Sequence, residues 1–167
     1  MIKITRKAID STLEQTLIAH RRQLQNFQLD IEERVKREKP LLSDYINSGR
    51  EYLQRVEGRE GELIRGGYKS GAHLTFRMIE AQLKLNRQQS PNITEEDIEK
   101  ANEDVNTLKG MEVSDITLAK IARIKNENYE FGNYVERYVT LQAPNEMIAR
   151  GFALGVITTY SAYQQAF

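Results

Sequence analysis

Met147-Ile-Ala-Arg-Gly-Phe-Ala-Leu-Gly-Val-Ile-Thr-Thr-Tyr-Ser-Ala-Tyr163 is the most apolar run in an otherwise polar chain, and its reading decides the fold class. Arg150 is the one charged residue between Met147 and Phe167. A helix that is apolar nearly all round is a buried one, so the sequence predicts that the other helices pack around this one. After Arg150 the run offers 13 residues before the glutamines, short of the ~20 that a membrane span needs. A buried core helix is expected, and no membrane span.

The remainder of the chain reads as helices of mixed charge. Its 167 residues fit one domain with one core. There is no cysteine, which excludes disulfides, thiolate metal sites and cysteine nucleophiles, and fits a reducing, cytoplasmic setting. Basic and acidic side chains number 24 each, and no clustered basic footprint points to duplex nucleic acid. The N-terminus has three early basic residues, Lys3, Arg6 and Lys7, with no apolar h-region behind them, so it does not read as a signal peptide.

In chain order, Asp10 or Ser11 is expected to cap a long helix that Lys39-Pro40 ends. Leu13, Leu17, His20, Leu24, Phe27, Ile31 and Val35 fall on it at steps of three and four, close to a heptad seam. Pro40 opens a second helix to about Val56, and the two form a helical hairpin over 10–56. Residues 57–71 carry five glycines in the fourteen residues from Gly58 to Gly71. At ~1 kcal/mol per glycine against alanine, an isolated helix is not expected there, so 57–71 reads as a Gly-rich connection. Ser70 is expected to cap a third helix that runs to Arg87. Thr94-Glu-Glu-Asp97 starts a fourth with an acidic first turn, ending at Lys109-Gly110. Ser114-Asp115 caps a fifth. An aromatic sixth carries Tyr129, Phe131, Tyr134 and Tyr138, with Gly132 as a kink or fusion point. Ala143-Pro144-Asn145 turns into the apolar last helix. The expected fold is a single all-α bundle of five to seven helices, with 72–167 as its main body.

The strongest candidate for chemistry is the Gly-rich stretch and the start of the helix after it: Arg59, Arg65, Gly66, Gly67, Tyr68, Lys69, Ser70 and His73. Glycines let backbone amides approach an anion, and a helix N-terminus presents unpaired N–H groups to it. Arg65, Lys69 and His73 would add donors, and Tyr68 would stack on a base or sugar. The competing reading is a plain interhelical loop. A P-loop is excluded, because Lys69-Ser70 follows Tyr68 rather than glycine and no strand precedes it. His20 has no histidine or acidic partner at i+3 or i+4, and the Glu-x-x-His pairs of a di-iron bundle are missing. No metal, cofactor or catalytic set is assigned. Arg6, Ile9-Asp10, Arg21-Arg22, Lys36 or Lys39, Pro40, Asp44 and Arg50-Glu51 give under a third of the chain a passing similarity to the all-helical chorismate mutases. The Arg-Glu pair lies farther behind the Asp than in that family, and the later chain has no counterpart, so no family is assigned.

Gly151, Gly155 and Thr159 place small residues every four on the last helix, which lets another helix come close. With Phe152 and Tyr163 beside them they form a candidate interface, either to a second copy or inside the chain. The first function expected is therefore a non-enzymatic interaction or assembly protein, acting as a homo-oligomer or with a protein partner. The alternative is a sensor or sponge for a small anionic ligand or nucleotide at the Gly-rich stretch.

Overall fold

The protein is described here by a computed structural model covering residues 2–106 and 113–167, without the side chains of 23–25, 104, 106 and 113–116. Among these residues the chain is all-α, as the patterning predicts. It forms α1 (Arg6–Glu38), α2 (Pro40–Leu53), α3 (Gly58–Leu85), α4 (Glu95–Asn106), α5 (Val113–Glu127), α6 (Tyr129–Arg137) and α7 (Glu146–Ala166). A π-helical segment, Tyr138–Gln142, extends α6. No described helix is long and apolar enough to cross a membrane.

The expected connection at 57–71 is instead the first half of α3, a 28-residue helix. The correction has a packing origin. Gly67 and Gly71 of α3 lie against Gly151 and Gly155 of α7, and the two backbones meet along that line. A Cβ at Gly67 would strike the Ile148 carbonyl, and one at Gly71 the Phe152 carbonyl. From the other side, a Cβ at Gly151 would strike the Ile64 carbonyl and one at Gly155 the Tyr68 carbonyl. Small residues at i, i+4 on both helices permit this approach, with Cα–H groups facing carbonyl oxygens. The propensity argument at 57–71 holds for an isolated helix; tertiary contact overrides it.

Helix α7 starts at Asn145, whose side-chain oxygen accepts from the Ile148 amide at 2.9 Å, and every residue from 151 to 163 is buried. The candidate interface residues Gly151, Phe152, Gly155, Thr159 and Tyr163 are therefore covered by the chain's own α3 and neighbouring helices. They are not open to a second copy. Ring contacts extend this packing: Phe152 meets Tyr138 at 4.1 Å between centroids, and Tyr163 meets Phe76 at 6.4 Å.

Helix α1 begins five or six residues earlier than expected, at Arg6 after Thr5 rather than after Asp10 or Ser11. The cause is tertiary: Ile2 and Ile4 are buried, and the Thr5 amide and hydroxyl both donate to Gln82 Oε1, at 2.8 and 2.7 Å. At the other end Lys39 donates to the Pro91 carbonyl, while neighbouring Ser90 donates to Glu80 at 2.7 Å. A straight helix would separate Thr5 from Lys39 by about 50 Å. Since both ends are tied to the same end of α3, α1 is an arch rather than a rod. The expected seam breaks accordingly. Ile31 and Val35 are buried, whereas Leu17 is 63% exposed and His20 is exposed; the Leu24 side chain lies outside the described residues.

The other boundaries follow local rules. Pro40 occupies the first turn of α2, where its missing N–H costs nothing. Thr94 and Asp97 bond reciprocally at the start of α4, amide to carboxylate at 2.9 Å and amide to hydroxyl at 3.3 Å. The expected end of the fourth helix at Lys109-Gly110 lies outside the described residues, as do the side chains of the expected cap Ser114-Asp115. The fifth and sixth helices stay separate. They break at buried Asn128, whose side-chain amide reaches the Ile2 carbonyl at 3.3 Å.

Candidate functional site

Making α3 one continuous helix redistributes the residues expected to form a site. Arg59 and Gly66 are exposed. Arg65 turns back to the end of α2 and donates to the carbonyls of Leu53 at 3.3 Å and Val56 at 3.0 Å, satisfying groups that a helix end leaves open. Gly67 is buried in the α7 contact. Tyr68 is 2% exposed, with burial pushing its hydroxyl pKa up to about 12. It fills the core beside Gly49, where a Cβ would collide with its ring, so it is not a stacking platform for a base. Ser70 lies mid-helix and caps nothing.

Lys69 and His73, one turn apart, do converge on a site. His73 lines a cleft of about 210 Å³ between α1, α2 and α3 with Glu32, Glu33, Lys36, Ser43, Asn47 and Arg50, and Lys69 reaches it through Glu32. Lys69 Nζ lies 2.6 Å from Glu32 Oε1 and Arg50 Nη1 lies 3.5 Å from the same oxygen. One carboxylate thus stands between two cations, each side chain about a quarter to a third exposed. Lys36 adds a third positive charge on the rim.

His73 is 5% exposed and its Nδ1 has no hydrogen-bond partner. Burial is the main force lowering its pKa to about 4; Glu32 opposes the shift, and Lys69 and Arg50 add to it. The imidazole is therefore neutral at physiological pH and keeps one donor and one acceptor. A buried polar atom left without a partner costs about 1–3 kcal/mol, which a hydrogen-bonding ligand at that nitrogen would recover. The cleft thus combines a neutral donor–acceptor ring, two neutral polar groups and lining charges that balance, Lys36 and Arg50 against Glu32 and Glu33, with Lys69 held on Glu32 as a further cation. Among the described residues, no group of three or more His, Asp or Glu side chains is arranged to hold a metal ion.

No family model, curated protein or solved structure matches the chain. The site is therefore read on its own geometry.

Glu32, Lys36, Ser43, Asn47 and Arg50 were not singled out by sequence as a site. Glu32-Glu33 reads as a solvated helix face. A usable signal was present: Glu32 and Lys36 are one turn apart on α1, and Ser43, Asn47 and Arg50 are one turn apart on α2. Both sets thus put polar residues on the same helix faces as the core residues Val35 and Ile46.

Proposed function

We propose that the protein binds a small anionic molecule carrying a hydroxyl or similar hydrogen-bonding group in the cleft between α1, α2 and α3. The supporting observation is the buried, unpartnered Nδ1 of His73 beside Lys36 and Arg50. The anionic end of the ligand meets the two cations, and its neutral polar group meets the imidazole. A cavity of about 210 Å³ falls below the ~300–1,000 Å³ of drug-sized pockets, so the ligand is a small acid rather than a nucleotide. The test is a titration with lactate, malate and citrate, followed by the 15N resonance of His73 Nδ1. Saturable movement by one of them, weakened roughly tenfold by Arg50→Gln or Lys36→Gln, is the expected result. A resonance unmoved by all three acids defeats the reading.

A second reading, self-association, draws on the α1 arch, which leaves Leu17 63%, Ile18 47% and Leu29 52% exposed. Three large aliphatic side chains exposed along the two arms of α1 suit contact with a second copy of the same arch. The small-residue face of α7 no longer supports this reading, since α3 occupies it. Light scattering should give a dimer for the native chain and a monomer for the triple substitution Leu17→Ser, Ile18→Ser, Leu29→Ser. A native monomer throughout the micromolar range removes this reading.

A further inference from the structure

The arch of α1 encloses a second polar cavity, separate from the His73 cleft. Its volume is about 350 Å³. Thr12 and Gln15 line it from the first arm of α1, Arg34 from the second arm, and Arg77, Glu80 and Lys84 from α3. Three cations face one carboxylate in the lining, and Arg34 is also paired with Glu38 at 3.2 Å just outside it, so the net charge is +1 once Glu38 is counted. The lining carboxylate is already engaged: Glu80 Oε1 accepts from the Tyr163 hydroxyl at 2.5 Å and from Ser90 at 2.7 Å.

Arg77 is the centre of this arrangement. Its hydrogen bonds go to neutral groups of the first arm, to the Thr16 hydroxyl at 3.2 Å and to Gln15 Oε1 at 2.5 Å. Its guanidinium lies 4.4 Å from the centroid of the Phe27 ring, which belongs to the other half of the arch. No carboxylate among the described residues forms an ion pair with it. Arg34 adds a like charge nearby, and burial and that charge together lower the Arg77 pKa. Half-buried guanidinium groups are ordinarily matched by an anion. Here the protein supplies none to Arg77, and the cavity beside it is large enough for more than a single oxyanion.

We propose that this cavity is a phosphoryl-binding site, in which Arg34, Arg77 and Lys84 hold the dianionic end of a small phosphomonoester between the two arms of α1. Arginine forks suit phosphoryl oxygens, and lysine adds a point charge. Because Thr12, Gln15 and Arg34 lie on different arms, a bound phosphoryl group draws both arms onto α3.

The test titrates the full chain with inorganic phosphate and with glycerol 2-phosphate. It follows the Arg77 Nε–Hε signal by NMR, with sodium chloride at matched ionic strength as control. The expected result is saturable movement with the phosphomonoester, tighter than with inorganic phosphate. Lys84→Gln should weaken binding roughly tenfold, and Arg34→Gln should do the same. Lys84 is exposed, so its substitution leaves the fold intact even if Arg77→Gln does not. Arg50→Gln, in the His73 cleft, should leave this isotherm unchanged. Movement that is linear in salt and equal for phosphate and chloride overturns the proposal, as does a Lys84→Gln chain that binds as the native one does.

Discussion

Gly151→Ala and Gly155→Ala are expected to destabilise the protein by at least about 3 kcal/mol each, at the upper end of what overpacking costs. The obstacle is backbone in both cases. A methyl at Gly151 points at the Ile64 carbonyl and one at Gly155 at the Tyr68 carbonyl, and neither carbonyl can swing aside as a side-chain tip could. The helices must separate, and the Cα–H to carbonyl contacts along the line go with them. For a chain of this size each kcal/mol lowers Tm by roughly 2–4 °C, so a fall of at least about 6 °C is expected. Gly66 supplies the internal control. It lies on the exposed side of α3, where an added Cβ meets nothing within 4 Å. Gly66→Ala should therefore stabilise the chain by about 0.5–1 kcal/mol through helix propensity. Urea unfolding followed by circular dichroism gives both numbers. Equal responses at Gly66 and Gly67 would show that the α3–α7 contact is not as close as described.

The same pair of helices shows what could be read from sequence and what could not. The apolar run of α7 and its small-residue spacing were legible, because both are properties of one helix. Its partner was not, because Gly67 and Gly71 are helix breakers when read locally and helix packers only when α7 is present. Cutting the chain at Gly71 then hid a second pattern. Lys69, His73, Arg77, Glu80 and Lys84 fall at steps of four, four, three and four, a polar stripe along α3 toward the α1 arch. Both candidate sites lie on that stripe. It became visible only after residues 57–85 were joined into one helix. The α1 arch was illegible for a different reason. The heptad spacing of Leu13 to Val35 is real, but the bend follows from anchoring at Thr5 and Lys39, which sequence spacing does not encode.

His73 carries the second large expected effect, a loss of stability in mild acid. Its folded pKa is about 4 against 6.5 for an unfolded histidine, chiefly because burial penalises the charged ring. The sign follows from proton counting. Between pH 6.5 and 4 the unfolded chain takes up a proton at this residue and the folded chain does not. The contribution of the neutral, buried ring is thus complete above pH 6.5 and is lost as pH falls toward 4. A difference of about two and a half pKa units corresponds to about 3 kcal/mol across the window. Carboxylates also titrate near its lower end, so the measurement is a difference: urea midpoints of the native chain and His73→Gln, at pH 7 and pH 4. The native chain should lose about 3 kcal/mol more than the variant, since glutamine keeps a polar group in the cleft but takes up no proton. If His73→Gln loses as much stability as the native chain over the same interval, the ring is not buried in its neutral form, and the hydrogen-bonding role given to Nδ1 in the cleft fails with it.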